Sequence, residues 1–223
     1  MYDLHVHSSL STGSTSPVKL AVDAKKLGLN GISLTDLSDR MEWKTLENNR
    51  KAIYEELDDF KILLGAEIKG TSTYELKKQI KKFRKKCDLI LVHGGDLKIN
   101  RWAVKEKEVD ILAHPELYRQ DSGLDHGMVR LAEKNDVAIE LNFRNLLSTS
   151  HSSRARLIEK MRKNLRLCLK YNARVIVTSG AHSTYDLRGP YDFRAFLHIL
   201  GAKEDESKRI IEETENIVTK WGL

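Results

Sequence analysis

In the opening segment Tyr2-Asp3-Leu4-His5-Val6-His7-Ser8, two histidines stand two residues apart. Strand side chains alternate in direction, so this spacing sets both imidazoles on one face. A pair of imidazoles held this way begins a site for Zn²⁺ or Mn²⁺, and a bound ion of that kind lowers the pKa of its water toward neutrality, the chemistry of metal-assisted hydrolysis. Other donors follow at Asp36, Glu67, His93, His114, Glu140, Asn142 and His182. The metal set they suggest is His5, His7, Glu67, His114 and His182, while His93, ahead of Gly94-Gly95-Asp96, suits a structural role equally well. His126, His151 and His198 lack a partner at ligand spacing and read as surface or capping residues. Asp3, Asp36 and Asp39 equally suit loop caps and strand-end contacts.

The donors gain meaning from the elements that carry them. Short runs rich in Ile, Val and Leu cover Tyr2 to Val6, Gly31 to Thr35, Ile62 to Ile68, Leu89 to Val92, Val109 to Ala113, Val137 to Leu141 and Arg174 to Thr178. Their near-continuous hydrophobicity predicts parallel strands buried on both faces. Helical periodicity fills the intervals at Pro17 to Leu27, Trp43 to Leu57, Tyr74 to Lys86, Leu124 to Asn135 and Arg154 to Tyr171, with further helices at Tyr191 to Leu200 and Glu204 to Thr219. Ser16 before Pro17 is an N-cap with proline in the first turn, and Gly28 is a helix stop. Alternating β and α units predict an α/β fold, a TIM-like (β/α) barrel of about seven strands in which the C-terminal strand ends converge on one face. No linker, repeat or low-complexity stretch divides the chain, so residues 1–223 read as one domain.

The 223 residues carry 40% hydrophobic and 31% charged side chains, ordinary for a globular protein, and no apolar run has the length of a membrane span. The start of the chain lacks the pattern of a secretory signal, and Cys87 and Cys168 stand singly, which predicts a reduced, cytoplasmic protein. The formal net charge is +6. It is concentrated. From Lys77 to Lys86 seven basic residues occur without an acidic one, and from Arg154 to Arg174 eight occur against Glu159 alone. Helical spacing places Leu76, Ile80, Phe83 and Cys87 inward and leaves Lys77, Lys81 and Lys85 on an outer stripe beside Lys78 and Lys82. In the second segment Arg156, Lys160 and Lys163 run along the outside, with Arg154 at its start. Such stripes suit phosphate contact, and the scarcity of interleaved aromatics argues against base stacking.

Leu4-His5-Val6-His7, Thr35-Asp36-Leu37, Gly65-Ala66-Glu67, Ala113-His114-Pro115 and Gly180-Ala181-His182 resemble the motifs of the polymerase-and-histidinol-phosphatase metallohydrolases. The likeness fails at two ligand positions, where Leu37 replaces a histidine and Gly180 an aspartate. On this likeness alone the chain is a divergent metal-dependent phosphoesterase. A second resemblance is sharper. Ser153-Arg154, Met161-Arg162, Tyr171, Val177-Thr178-Ser179-Gly180-Ala181, Asp186-Leu187-Arg188-Gly189-Pro190-Tyr191-Asp192 and Leu200-Gly201 resemble the ribonuclease P protein component 3 family of archaea and eukaryotes, in which a glycine at 180 is the ordinary residue. That resemblance implies a subunit of the ribonucleoprotein that removes 5′ leaders from precursor tRNA. It implies that the catalytic ribonuclease P RNA carries the reaction, with Mg²⁺ bound by the RNA, no cofactor or metal expected on the protein, and no catalytic residue within it. Its partners would be that RNA, the component 2 protein and other subunits, with precursor tRNA as substrate of the assembly. The surface residues assigned to RNA or partner contact are then Lys77, Lys78, Lys81, Lys82, Lys85, Arg154, Arg156, Lys160, Lys163, Ser179 and Arg188. The compact length fits an archaeal member.

Overall fold

A computed structural model describes residues 1–40 and 42–220. Seven parallel strands, β1 (Tyr2–Val6), β2 (Gly31–Leu37), β3 (Lys61–Ile68), β4 (Leu89–His93), β5 (Ile111–Ala113), β6 (Ala138–Asn142) and β7 (Val175–Thr178), lie side by side in chain order. Around them run α1 (Pro17–Lys26), α2 (Trp43–Glu56), α3 (Thr73–Phe83), α4 (Leu97–Ala103), α5 (His126–Asn135), α6 (Arg144–Leu147), α7 (His151–Tyr171), α8 (Pro190–Ile199) and α9 (Glu204–Lys220). The architecture is the expected TIM-like barrel. Buried residues divide into two cores. Leu20, Ile32, Leu64, Ile90, Ile139 and Val177 belong to the outer one, between sheet and helices. Leu4, Leu63, Leu89, Leu91, Ile111 and Ile176, spaced to the opposite strand face, fill the barrel itself.

Closure is uneven. At the C-terminal ends β1 meets the segment just beyond β7 through the bridge Val6–Ala181, where the His7 N–H donates to the Ala181 carbonyl at 2.8 Å. At the opposite end no ladder joins β1 and β7 among the described residues, and α9 seals the seam instead. Its Ile217 and Val218 enter the inner core, and Thr214 Oγ1 accepts a hydrogen bond from the Tyr2 N–H at 3.1 Å.

β1 also breaks its own alternation. Tyr2 and Leu4 belong to the inner core, so a regular strand would turn Val6 inward as well; Val6 instead packs in the outer core. The β1–β2 register slips between Asp3 and Val6. Such a bulge re-aims the side chains beyond it, and here it turns His5 and His7 into the barrel mouth.

Most local signals act as expected. The Ser16 hydroxyl caps α1, and α8 opens with Pro190 in its first turn and Asp192 accepting from the Gly189 N–H at 2.9 Å. One expectation changes, and one element goes unanticipated. α3 ends at Phe83, because the Arg84 guanidinium reaches Asp110 and the carbonyls of Cys87 and Asp88 and folds the chain back toward β4; Lys85 therefore lies in a turn, off the helical stripe. The four-residue α6 is too short to show a period, and it is held from outside by Phe143 and Arg144 N–H bonds to the Thr178 and Ser179 carbonyls.

Candidate functional site

The strand ends bring His5, His7, Glu67, His93, His114 and Glu140 into one buried cluster at the mouth. His5 Nε2 and His7 Nε2 face each other at 3.1 Å. One oxygen of Glu67, Oε2, lies 3.8 Å from His5 Nε2 and 3.5 Å from His7 Nε2, while the other, Oε1, lies 2.6 Å from His93 Nδ1 and 3.6 Å from His114 Nε2. Glu140 stands behind the rings. Its Oε1 is 2.6 Å from His5 Nδ1 and accepts from Thr178 Oγ1 at 2.6 Å, and its Oε2 accepts from the His114 backbone N–H at 3.2 Å. His114 itself has a φ of +50°, a conformation costly for a non-glycine residue, so the surrounding contacts fix it in place.

The charges interlock. Burial alone would raise the Glu140 pKa, yet His5, His114 and the hydrogen bonds from His5 and Thr178 hold it down to about 2. Glu67 is likewise buried, and the hydrogen bonds from His114, His5 and His93 bring it well below the carboxylate range. Burial would depress His5, but the two carboxylates raise it well above its ordinary value. For His7 burial and the neighbouring His5 charge act together and lower it. Asp3 and Asp36 are pushed up to about 6 by burial.

Of the five residues that the sequence nominates for a metal, four share the three-residue donor groups, and His182 reaches the cluster only beside His7. The His182 ring lies 4.3 Å from the His7 ring, with Nδ1 3.0 Å from the Gly180 carbonyl, and it joins none of the three-residue donor groups among the described residues. Those groups are His5-His7-Glu67, His5-His114-Glu140 and Glu67-His93-His114. His93 thus belongs to the site. Glu116 and Asn145 lie beside it, with Asn145 Nδ2 3.1 Å from Glu116 Oε1 and 3.3 Å from His114 Nδ1. Sequence reasoning misses both; the only signal was the position of Glu116 two residues beyond His114.

The two departures from metallohydrolase motifs have structural counterparts. Gly180 has φ of +61°, and a Cβ there would sit 2.4 Å from both Nδ2 and Oδ1 of Asn142. The Asn142 amide occupies the space that an aspartate at 180 would need. Leu37 pairs in register with Glu67 and offers that side of the mouth no donor.

The basic faces lie elsewhere. α3 packs on β3 and β4 and α7 on β6, so the two stripes occupy separate sectors of the barrel wall. Lys78, Lys81, Lys82 and Lys85 are exposed with no carboxylate within ion-pair distance among the described residues, whereas Lys77 lies 3.8 Å from Glu106. On α7, Arg156 and Lys163 are exposed with no carboxylate within ion-pair distance among the described residues, although Asp121 feels the Lys163 charge; Arg154 bonds the Thr149 carbonyl and Lys160 the Arg119 carbonyl. Two assignments fail as free surface contacts. Ser179 is fully buried, its N–H donating to Asp3 and its hydroxyl accepting from Ala181, because it forms the turn beneath the mouth. Arg188 is spent internally on the Tyr185 and Leu187 carbonyls and stacks 4.6 Å from the Phe143 ring centre. Aromatics are also nearer to the basic faces than the chain order suggested. Tyr118, 92% exposed, stands on a cleft of about 710 Å³ lined by Ser153, Arg156 and Lys160.

The fold and the site define a parallel (β/α) barrel with histidines and carboxylates gathered at its C-terminal strand ends. In keeping with that, it is similar in fold to a candidate histidinol phosphatase from Listeria monocytogenes (TM-score 0.64, 12% identity, 86% of this chain and 100% of that one). Within that class the chain belongs to the RNase P subunit p30 family, whose model matches residues 1–222. It is 43% identical over 170 residues to ribonuclease P protein component 3 of Methanococcus maripaludis, covering 76% of this chain and 73% of that protein. The same protein of Methanocaldococcus jannaschii is 42% identical over 193 residues, 86% of this chain and 82% of its own length. Among solved structures, a chain of archaeal ribonuclease P with mature tRNA has 37% identity and a TM-score of 0.86, over 98% of this chain and 90% of that one.

Proposed function

We propose that the chain is a protein subunit of ribonuclease P that supports removal of 5′ leaders from precursor tRNA, with the RNA carrying the catalysis and binding the Mg²⁺ it needs. The observation that carries this reading is the match along almost the whole chain, at 37% identity, to a subunit of an archaeal ribonuclease P structure that includes tRNA. The surface chemistry supports it. Exposed lysines and arginines outside the ion pairs of the described residues on two sectors are suited to phosphates, and Tyr118 beside Arg156 and Lys160 adds a platform on which a base can stack. The catalytic RNA, the component 2 protein and the other protein subunits are its partners, and the cytoplasm its compartment; no described helix is long and apolar enough to cross a membrane. The phosphoesterase reading is not favoured, since Leu37 supplies no ligand and Asn142 fills the space of the missing aspartate.

Reconstitution of the catalytic RNA and partner proteins with and without this chain tests the proposal. The expected outcome is a lower Mg²⁺ requirement and faster precursor cleavage when the chain is present. Identical cleavage across a Mg²⁺ titration would overturn it.

A further inference from the structure

Given the ribonuclease P reading, on which this rests, we infer that the cleft between the β5–α5 loop and the first half of α7 is a nucleotide pocket. It takes one unpaired nucleotide of the catalytic RNA, with the base on the Tyr118 ring and the phosphate on Arg156. The cleft measures about 710 Å³ and is lined by Tyr118, Gln120, Ser153, Arg156 and Lys160. That volume is in the range of sites for single small molecules. A paired base has both faces covered by its neighbours, so only an unpaired one can lie on the ring.

The ring is held out by a rigid turn. Tyr118 has φ of +56°, a conformation that a bulky residue rarely accepts, and it is 92% exposed, so the fold gains little packing from it. Tyr185 and Tyr191 are nearly as open to solvent, but of the three only Tyr118 has a positive φ. The turn is pinned on both sides of the ring. The Leu117 N–H donates to the His114 carbonyl at 3.0 Å, and Arg119 donates to the Gly95 carbonyl at 3.1 Å and to both oxygens of Asp121. Lys160 of α7 reaches back to the Arg119 carbonyl, which ties the turn to the helix that supplies the cations. A ring fixed before the RNA arrives loses little entropy when a base stacks on it.

The charge around the cleft has the sign that a phosphate needs. Arg156 donates to Ser153 Oγ at 3.2 Å and has no carboxylate within ion-pair distance among the described residues, so most of its fork of donors is left for an anion. The acids nearby are already engaged, Asp121 by Arg119 and Glu159 by Arg162. A second hollow of about 670 Å³ continues along the same helix, sharing Gln120, Arg156 and Lys160 with the first and adding Lys163. Positions 156, 160 and 163 lie on one helix face and span about 10.5 Å of its axis, a track for the phosphates of the strand that leaves the pocket.

The test uses the enzyme reconstituted from the catalytic RNA and all its proteins, in which the chain speeds precursor cleavage; if it does not, the ribonuclease P reading fails before the pocket is in question. With the photo-crosslinking analogue p-benzoylphenylalanine at position 118, irradiation should join the chain to one unpaired nucleotide of the catalytic RNA. Tyr118→Ala should weaken binding of the chain and its partner proteins to that RNA by about 5–150-fold at every salt concentration, with Tyr118→Phe close to wild type. Arg156→Ala should instead lower the slope of log affinity against log salt by about 1. A cross-link to paired RNA, to precursor tRNA or to a partner protein, or wild-type binding by Tyr118→Ala, would overturn the pocket and leave the subunit reading intact. The Tm of Tyr118→Ala should match the wild type; should it fall, the cross-link and the Arg156→Ala slope decide alone.

Discussion

A single carbon added at Gly180 would lie 2.4 Å from the Asn142 amide, on a backbone whose φ of +61° side chains rarely accept. Gly180→Ala should therefore destabilise the chain by about 1–3 kcal/mol in urea unfolding, and pairing it with Asn142→Gly should recover the steric part of that loss but not the conformational part. Restoring the aspartate of the metallohydrolase motif needs both positions changed. Glu116 offers a second check. It is buried, with one oxygen unpartnered among the described residues, and burial lifts its pKa from the ordinary 4.5 to about 7. A raised pKa means that the folded state holds the proton more tightly than the unfolded one. The associated stability is complete below about pH 4.5 and is lost as the pH rises through 7. Glu116→Gln has no proton to lose, so between pH 5 and 8 in metal-free buffer it should gain on the wild type by up to about 3 kcal/mol, read from paired denaturation curves. A difference that stays constant with pH would show that Glu116 does not titrate in this range.

At the scale of elements, α3 and α7 present their charges from different sectors of the wall, so each can be tested alone. Lys81→Glu and Lys163→Glu should each reduce the slope of log affinity against log salt by about 1 for the catalytic RNA, with the deficit largest at low salt. A loss that ignores salt would indicate damage to packing. The same elements show what a sequence reveals. The strands and most helices were legible, because a buried parallel strand must be apolar on both faces and a wall helix on one. The bulge in β1 was not. His5-Val6-His7 announces two imidazoles on one face, but whether that face is the mouth depends on a register slip that leaves no mark in residue type. The end of α3 was hidden for a related reason. Lys85 continues the helical period, and only the reach of Arg84 to Asp110, 26 positions away, turns the chain aside. Ser179 and Arg188 were legible as a signature but not as inward-facing, since a family motif marks what must be kept without saying whether the fold or a partner needs it.

Across the whole molecule, the mouth and the basic walls divide the work. The mouth is a closed set of charges, with Glu67 and Glu140 each in contact with more than one histidine, and it holds the strand ends in register. The walls carry the uncompensated charge. The class of fold, the cluster of His5, His7, Glu67 and His114, and the family were all legible from motif and spacing; the inclusion of His93 and the supporting place of Glu140 required coordinates. One feature bears on how the protein is made. The bond between Tyr2 and Thr214 spans 212 positions of the chain, and Ile217 and Val218 cap a barrel whose first strand is synthesised long before them. A nascent chain thus carries β1 with its lower edge unsealed until α9 has been made, and the interval before α9 arrives is when the barrel is most exposed to aggregation.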